Sequence, residues 1–222
     1  MKFKLTLLLS LFAFYTSAQD FSQAKMDSLF NLIDKHDKGM GSLSVFFDGE
    51  EVYQNSIGYA SVEKSIPATA ETKYRIGSVS KIYTAVVIMK LVENEQLSLD
   101  EKLDSFYPDI ENAGKITIEH LLQHRSGIFN FTSAKNYQEW MEQKVTPEQL
   151  VDTIRSKGSV FEPGEKMKYS NSNYVLLTYI AEKVSGKDFS QLLNEHIFEP
   201  CNLAHTEYGD EIEPEKNEAY SY

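Results

Sequence analysis

Apolar residues recur along this chain with two different periods, and the switches between them mark its elements. Over residues 21–36, Phe21, Met26, Leu29, Phe30, Leu32 and Ile33 fall at mixed three- and four-residue spacing. That spacing predicts an amphipathic helix, ended by Gly39, Gly41 and Ser42. Residues 43–47 and 51–59 are apolar and β-branched on either side of Asp48-Gly49, the signal of a tight hairpin. Ser65-Ile66-Pro67-Ala68-Thr69 then breaks the pattern. Residues 82–93 carry Ile82, Ala85, Val86, Val87, Ile88, Met89, Leu91 and Val92 around most of a helix circumference, leaving Lys90 and Glu93 for solvent. Such a helix is expected to be central and buried.

Further on, helical signals dominate. A helix is predicted to start at Thr117 and stop at Gly127, and Thr146-Pro147 opens another with proline in its first turn. Between them, residues 130–143, with Trp140, are polar and aromatic and could line a groove, but they fit a plain surface helix or loop better. Phe161-Glu162-Pro163-Gly164-Glu165 is a turn. Residues 175–184 form a strongly apolar helix stopped at Gly186, and a short helix over 189–198 precedes Pro200.

Composition narrows the class. With 222 residues, 41% apolar and 12% aromatic, the chain can bury a sizeable core, so disorder is not the expectation. A formal charge of -11 argues against nucleic acid and anionic membrane as partners, since both favour basic patches. Met1-Lys2-Phe3-Lys4, an apolar run over residues 5–15 and Thr16-Ser17-Ala18 have the three parts of a secretory signal peptide, predicted to be cleaved after Ala18. The run is short for a stable membrane span, so the chain is expected to be exported, periplasmic or secreted. Cys201 is the only cysteine, which excludes an internal disulfide; it is expected to be a small buried apolar residue.

Two polar clusters interrupt this apolar framework. The first is Ser78 and Lys81, three residues apart where a helix begins and about 60° apart around its axis. Lys81 is expected to point among Ala85, Ile88 and Val92, where lost hydration would lower its pKa and let the neutral amine take a proton from Ser78. The Ser78 backbone N–H, at the positive end of the helix, could help stabilise an oxyanion. The same pair also fits an N-cap serine followed by a snorkelling lysine. The second cluster, Lys168-Tyr169-Ser170-Asn171-Ser172-Asn173-Tyr174, precedes the apolar helix. It offers a phenol and an amide as proton relay and hydrogen-bond donor, or ordinary helix caps. His120 and His124 are four apart but lack the glutamate of a zinc helix, Leu121 standing in its place, so they read as structural.

Together the clusters resemble the serine β-lactamase and penicillin-binding-protein-like family, in the branch with class C β-lactamases, D-amino-acid peptidases and family VIII esterases. Ser78-Val79-Ser80-Lys81 matches S-x-x-K, and Tyr169-Ser170-Asn171 is similar to Y-x-N. Leu121-Leu122-Gln123-His124-Arg125-Ser126-Gly127 resembles the segment L-L-x-H-x-S-G, with Arg125 where threonine is more usual, and Phe161-Glu162-Pro163-Gly164 resembles the F-x-P-G turn.

The resemblance, over residues 25–222, implies an α+β, β-lactamase/transpeptidase-like fold with a helical region and an antiparallel sheet. It implies one hydrolase domain over residues 19–222, working without a metal or organic cofactor. The implied substrate is a small molecule or peptide, peptidoglycan-derived peptides among them: an amide, a D-amino-acid peptide, an ester or a β-lactam. Ser78 would attack the carbonyl, Lys81 would act as base, Tyr169 would relay the proton to the leaving group and Asn171 would hold the substrate amide. The family's third motif, a K-T-G or H-x-G strand, has no counterpart before Tyr222, and His205-Thr206-Glu207 does not supply it. The chain is accordingly expected to lack the C-terminal strands and to be inactive alone. The alternative is a non-catalytic penicillin-binding or sensor-type protein of the same fold.

Overall fold

The computed structural model describes residues 21–222, so the expected signal peptide lies outside the described residues. The chain divides into two compact units, one running up to Tyr74 and including Ile212–Tyr222, the other comprising Arg75–Glu211.

In the first unit, α1 (Gln23–Lys35) is followed by the antiparallel strands β1 (Gly41–Phe47) and β2 (Glu50–Ile57). Their turn has the predicted chemistry: Asp48 at φ 51° and Gly49 at φ 82° both take the positive dihedrals that a two-residue hairpin requires. Phe30 of α1 packs edge-on to Tyr53 of β2 at 6.1 Å between ring centroids, and the Tyr53 hydroxyl donates to Asp27 Oδ1 at 3.0 Å. A second antiparallel pair, β3 (Tyr59–Ser61) and β4 (Ile66–Pro67), is too short to leave a periodic signal. Residues 212–222 close the unit: Lys73 N–H donates to Asn217 O at 2.6 Å, Ala219 N–H to Lys73 O at 2.9 Å and Tyr220 N–H to Ala60 O at 2.9 Å.

The second unit is helical. A 3₁₀ turn, Gly77–Val79, leads into α2 (Ser80–Glu93). Then come α3 (Ile118–Leu122), α4 (Tyr137–Trp140), α5 (Pro147–Lys157), α6 (Asn171–Ser185) and α7 (Phe189–Leu193). Its core joins Ile88 and Leu91 of α2, Ile118 and Leu121 of α3, Ile154 of α5, Leu176, Leu177 and Ile180 of α6, and Leu192 of α7, all essentially unexposed. Local chemistry sets the boundaries. Thr146 and Gln149 form a capping box at the start of α5, with Pro147 in its first turn, and Gly186 at φ 68° closes α6. At the limits of the unit, the Arg75 guanidinium donates to Asp210 O. A Cβ on Gly209 would meet that guanidinium, which would have to swing aside.

Three expectations are corrected. α2 is not buried all round: Thr84, Val87, Ile88 and Leu91 are covered, but Ile82 is 65% and Met89 47% exposed, with Val86 beside them. Periodicity identifies apolar positions without identifying what covers each. The helix from Thr117 ends at Leu122, well before Gly127, because His124 adopts the left-handed conformation at φ 57°. Arg125 N–H donates to His120 O at 2.7 Å and His124 N–H to Leu121 O at 3.2 Å, the paired bonds of a Schellman cap. Cys201, expected to be buried, is exposed in the turn that follows Asn194–Phe198.

Candidate active site

All four residues expected in the site meet in the second unit. Ser78 lies in the 3₁₀ turn, and its side chain makes no N-cap bond; Val79 occupies the cap position of α2. The Ser78 hydroxyl instead lies 2.8 Å from the Tyr169 hydroxyl and accepts from Lys81 Nζ at 3.3 Å. Ser78 is therefore not the cap of α2.

Helical side chains tilt toward the N-terminus, which carries the Lys81 amine back to Ser78 instead of forward among Ala85, Ile88 and Val92. Lys81 is half-buried, and its amine sits 5.1 Å from the Tyr169 ring centroid and 5.7 Å from that of Tyr174. Ring faces of this kind attract an ammonium. Beside it, Ile82, Ala85, Val86 and Met89 line an open apolar groove with Lys81 and Tyr174.

Tyr169 precedes α6, and Asn171 is the first residue of that helix. The Tyr169 hydroxyl donates to Asn171 Oδ1 at 3.2 Å. Asn171 Nδ2 donates to Thr132 Oγ1 at 3.0 Å, and Thr132 Oγ1 donates to Asn130 Oδ1 at 3.1 Å. A phenol has one proton to give. With that proton on Asn171, the bond between Ser78 and Tyr169 must be donated by Ser78. The hydrogen bonds therefore run in one sense, Lys81 to Ser78 to Tyr169 to Asn171 to Thr132 to Asn130.

The same geometry tunes the phenol. Burial pushes the Tyr169 pKa up, but hydrogen bonds with Lys81 and Ser78 and the Lys81 charge outweigh it, so the phenol lies below its ordinary value of 10.0. Tyr174 goes the other way, raised first by burial and then by the proximity of Tyr169.

Buried polar bonds hold this face rigid. Ser126 Oγ donates to Asn173 Oδ1 at 2.7 Å, both residues being unexposed, and Ser172 Oγ donates to Phe129 O at 2.6 Å. Asn171 N–H donates to Asn130 Oδ1 at 3.0 Å. Ser170, the cap residue of α6, makes no side-chain cap bond, and its buried Oγ has no partner.

Asn130 and Thr132 come from the polar, aromatic stretch that could line a groove but fits a plain surface better, and nothing in its pattern singles out these two residues. The two histidines diverge. The Nδ1 of His120 accepts from Thr117 N–H at 3.4 Å in the cap of α3, while the ring of His124 reaches the site. Among the described residues, no group of three His, Cys, Asp or Glu side chains is placed to hold a metal ion, and no helix is long and apolar enough to cross a membrane.

Comparison with known proteins finds relatives over most of the chain. Penicillin-binding protein 4* of Bacillus subtilis (strain 168) is 31% identical over 201 residues, covering 89% of this chain and 44% of that protein. The teichoic acid D-alanine hydrolase of Staphylococcus aureus is 27% identical over 171 residues, 77% of this chain and 41% of that one. Among solved structures, the D-amino acid amidase from Ochrobactrum anthropi SV3, complexed with D-phenylalanine, superposes with a TM-score of 0.68 at 31% identity, over 79% of this chain and 50% of the amidase. The chain thus spans about half the length of these relatives, and it shares their β-lactamase/transpeptidase-like fold, here helical with small antiparallel sheets. Since the profile described as Beta-lactamase matches residues 29–222, the chain belongs to the β-lactamase family.

Proposed function

We propose that this chain belongs to an exported serine hydrolase that forms an acyl-enzyme on Ser78 with a small amide, D-amino-acid peptide, ester or β-lactam. The observation that carries this reading is the Ser78 hydroxyl, free of any capping role and held between Tyr169 and Lys81. This reading shifts one role relative to those the resemblance implies: Tyr169 takes the Ser78 proton, which it can do only as the phenolate, so the proton that the neutral phenol gives to Asn171 Oδ1 is first lost to solvent, a loss favoured by the hydrogen bonds with Lys81 and Ser78 and by the Lys81 charge. The Ser78 Oγ–carbon bond forms as the Ser78 proton moves to the phenolate oxygen and the carbonyl becomes an oxyanion, which the Ser78 backbone N–H helps to hold. Collapse breaks the bond to nitrogen or oxygen, and Tyr169 returns the proton to the leaving group. Water then releases the acyl group. Asn171 keeps the phenol oriented and has a second N–H to offer the substrate.

The relatives are about twice this length, so the decisive experiment reads the nucleophile and not turnover. Incubation with a fluorophosphonate or an activated ester should add the reagent's mass to the peptide containing Ser78, and the adduct should be absent from Ser78→Ala. Adducts elsewhere, or adducts that persist in Ser78→Ala, would overturn the reading. A stable adduct that never hydrolyses, even in a longer chain, would instead favour the non-catalytic penicillin-binding alternative.

Export rests on the three-part N-terminal segment. Expressed in a secreting host, the mature chain is expected to begin at Gln19. Recovery of an intact Met1 terminus from the periplasm or the medium would refute cleavage after Ala18.

A further inference from the structure

Helices that end in a left-handed residue usually place glycine there, because a side chain pays a steric cost in that conformation. α3 places His124 at this position, φ 57°. A strained non-glycine residue beside a reactive site invites a functional explanation, and the contacts of this one supply it.

The imidazole packs against two phenol rings. Its centroid lies 4.6 Å from that of Tyr169 and 5.1 Å from that of Tyr174, with interplanar angles of 39° and 37°. Nδ1 accepts from the Ser170 backbone N–H at 3.2 Å, and the His124 carbonyl accepts from Lys168 N–H at 2.9 Å. Both residues flanking Tyr169 are thus tied to this one histidine. Tyr174, the second of these rings, is itself anchored by its hydroxyl donating to Leu122 O at 3.1 Å.

We propose that His124 is a positioning residue of this site, a neutral imidazole whose Nδ1 and ring together hold the Tyr169 phenol in line between Ser78 and Asn171. This rests on the reading of Ser78 and Tyr169 as the reacting pair and adds a residue to it. The tautomer follows from the contacts. An Nδ1 that accepts from Ser170 carries no proton, so the ring proton of the neutral form is on Nε2.

Neutrality is also what the surroundings favour. The ionisable groups facing the ring are Tyr169 before α6, Tyr174 within α6 and, by its charge, Lys81 of α2. Burial and then the Lys81 charge push His124 below its ordinary 6.5, and the Ser170 N–H, which only an unprotonated Nδ1 can accept, favours the same neutral form. An imidazolium here would leave the Ser170 N–H without its acceptor and place a second cation near Lys81. The sign is fixed accordingly. The arrangement is intact above the ordinary histidine range and fails as pH falls through the depressed value.

The test uses the full 222-residue chain with 3-fluorotyrosine at position 169 alone and ¹⁵N-labelled histidine. At about pH 7, His124 should show the neutral Nε2–H tautomer. A protonated Nδ1 there would overturn the proposal outright, whatever the behaviour of any variant. His124→Ala should move the fluorine titration of Tyr169 up by about one pH unit, equivalent to a tenfold loss of phenolate at a given pH. His124→Asn, which keeps an oxygen acceptor near Nδ1 and tolerates left-handed backbone, should recover part of that shift.

The rate of Ser78 labelling should follow the same order, with its pH profile displaced to match. If both variants only lower Tm and leave the Tyr169 titration at its parental value, His124 is structural and the proposal fails. Should the parent chain take no label at Ser78, the nucleophile reading fails separately, and the fluorine titration still decides for or against His124.

Discussion

Replacing Tyr169 with phenylalanine should slow acylation of Ser78 by roughly 10²–10⁴, the range for a positioned general base, and should abolish the rise of rate with pH. The substitution is nearly silent for packing. Phenylalanine keeps a ring against His124 and an aromatic face for the Lys81 amine, and Tyr169 is 44% exposed. What disappears is the oxygen 2.8 Å from Ser78 and its link to Asn171. Because the phenol lies below 10.0, its proton-accepting form grows with pH, and the parental rate should climb and level off below that value. The phenylalanine variant should show neither the climb nor the plateau. Identical pH profiles for the two proteins, with folding confirmed by circular dichroism, would remove Tyr169 from the proton path.

Gly127→Ala should cost about 2–5 kcal/mol of stability, combining about 1–2 for a left-handed backbone with about 1–3 for overpacking. Gly127 has φ +81°, and a Cβ there would collide with the Phe161 carbonyl and come within 2.9 Å of Ser159 Oγ. Neither neighbour can move freely. Val160 N–H donates to Gly127 O at 2.8 Å, Phe129 N–H donates to Gly158 O at 3.1 Å, and Ile128 is bridged to Ser159. The damage should extend to the site, since residues just beyond this contact supply Asn130 and Thr132 to Asn171. Gly186→Ala is the control: its φ is +68° and nothing lies within 4 Å of the added carbon, so only the backbone share of the cost applies. Thermal unfolding should show Gly127→Ala lowering Tm by roughly 4–20 °C, at about 2–4 °C per kcal/mol. Equal effects from the two substitutions would show that the Phe161 contact is not what requires glycine.

These predictions also mark how far the sequence could be read. Ser78 and Lys81 could be picked out as a pair because helix geometry carries i to i+3 neighbours together, and Tyr169 and Asn171 through the family motif that they resemble. Asn130, Thr132 and His124 were not legible as site residues, because they reach it from a loop whose path is set by bonds to partners 39 to 47 positions away, as Thr132 with Asn171 and Ser126 with Asn173 show. Gly127 was read as a helix stop because a stop and a close backbone approach call for the same residue. His124, which does end the helix, carries no stop signal at all. The hairpin was found from its turn dipeptide, whereas β3 and β4 left too few residues for any period to register. On α2, the pattern could show that Ile82 and Met89 are apolar, but not that they would remain exposed.

The bond from Arg75 to Asp210 has a consequence for how the chain holds together as a polymer. The first unit is discontinuous: Lys73 and Ala60 find their partners in Asn217 and Tyr220, across the whole length of the second. In a disordered chain, bringing such distant segments together carries a closure entropy that grows with the logarithm of the loop. When the second unit is folded, its own ends are already clipped at Arg75 and Asp210, and the effective loop shrinks to the few residues on either side. The later unit in the chain thus acts as an entropic staple for the earlier one. Melting Arg75–Glu211 would weaken the pairing of residues 60–73 with 217–220 without disturbing a single atom of that pairing.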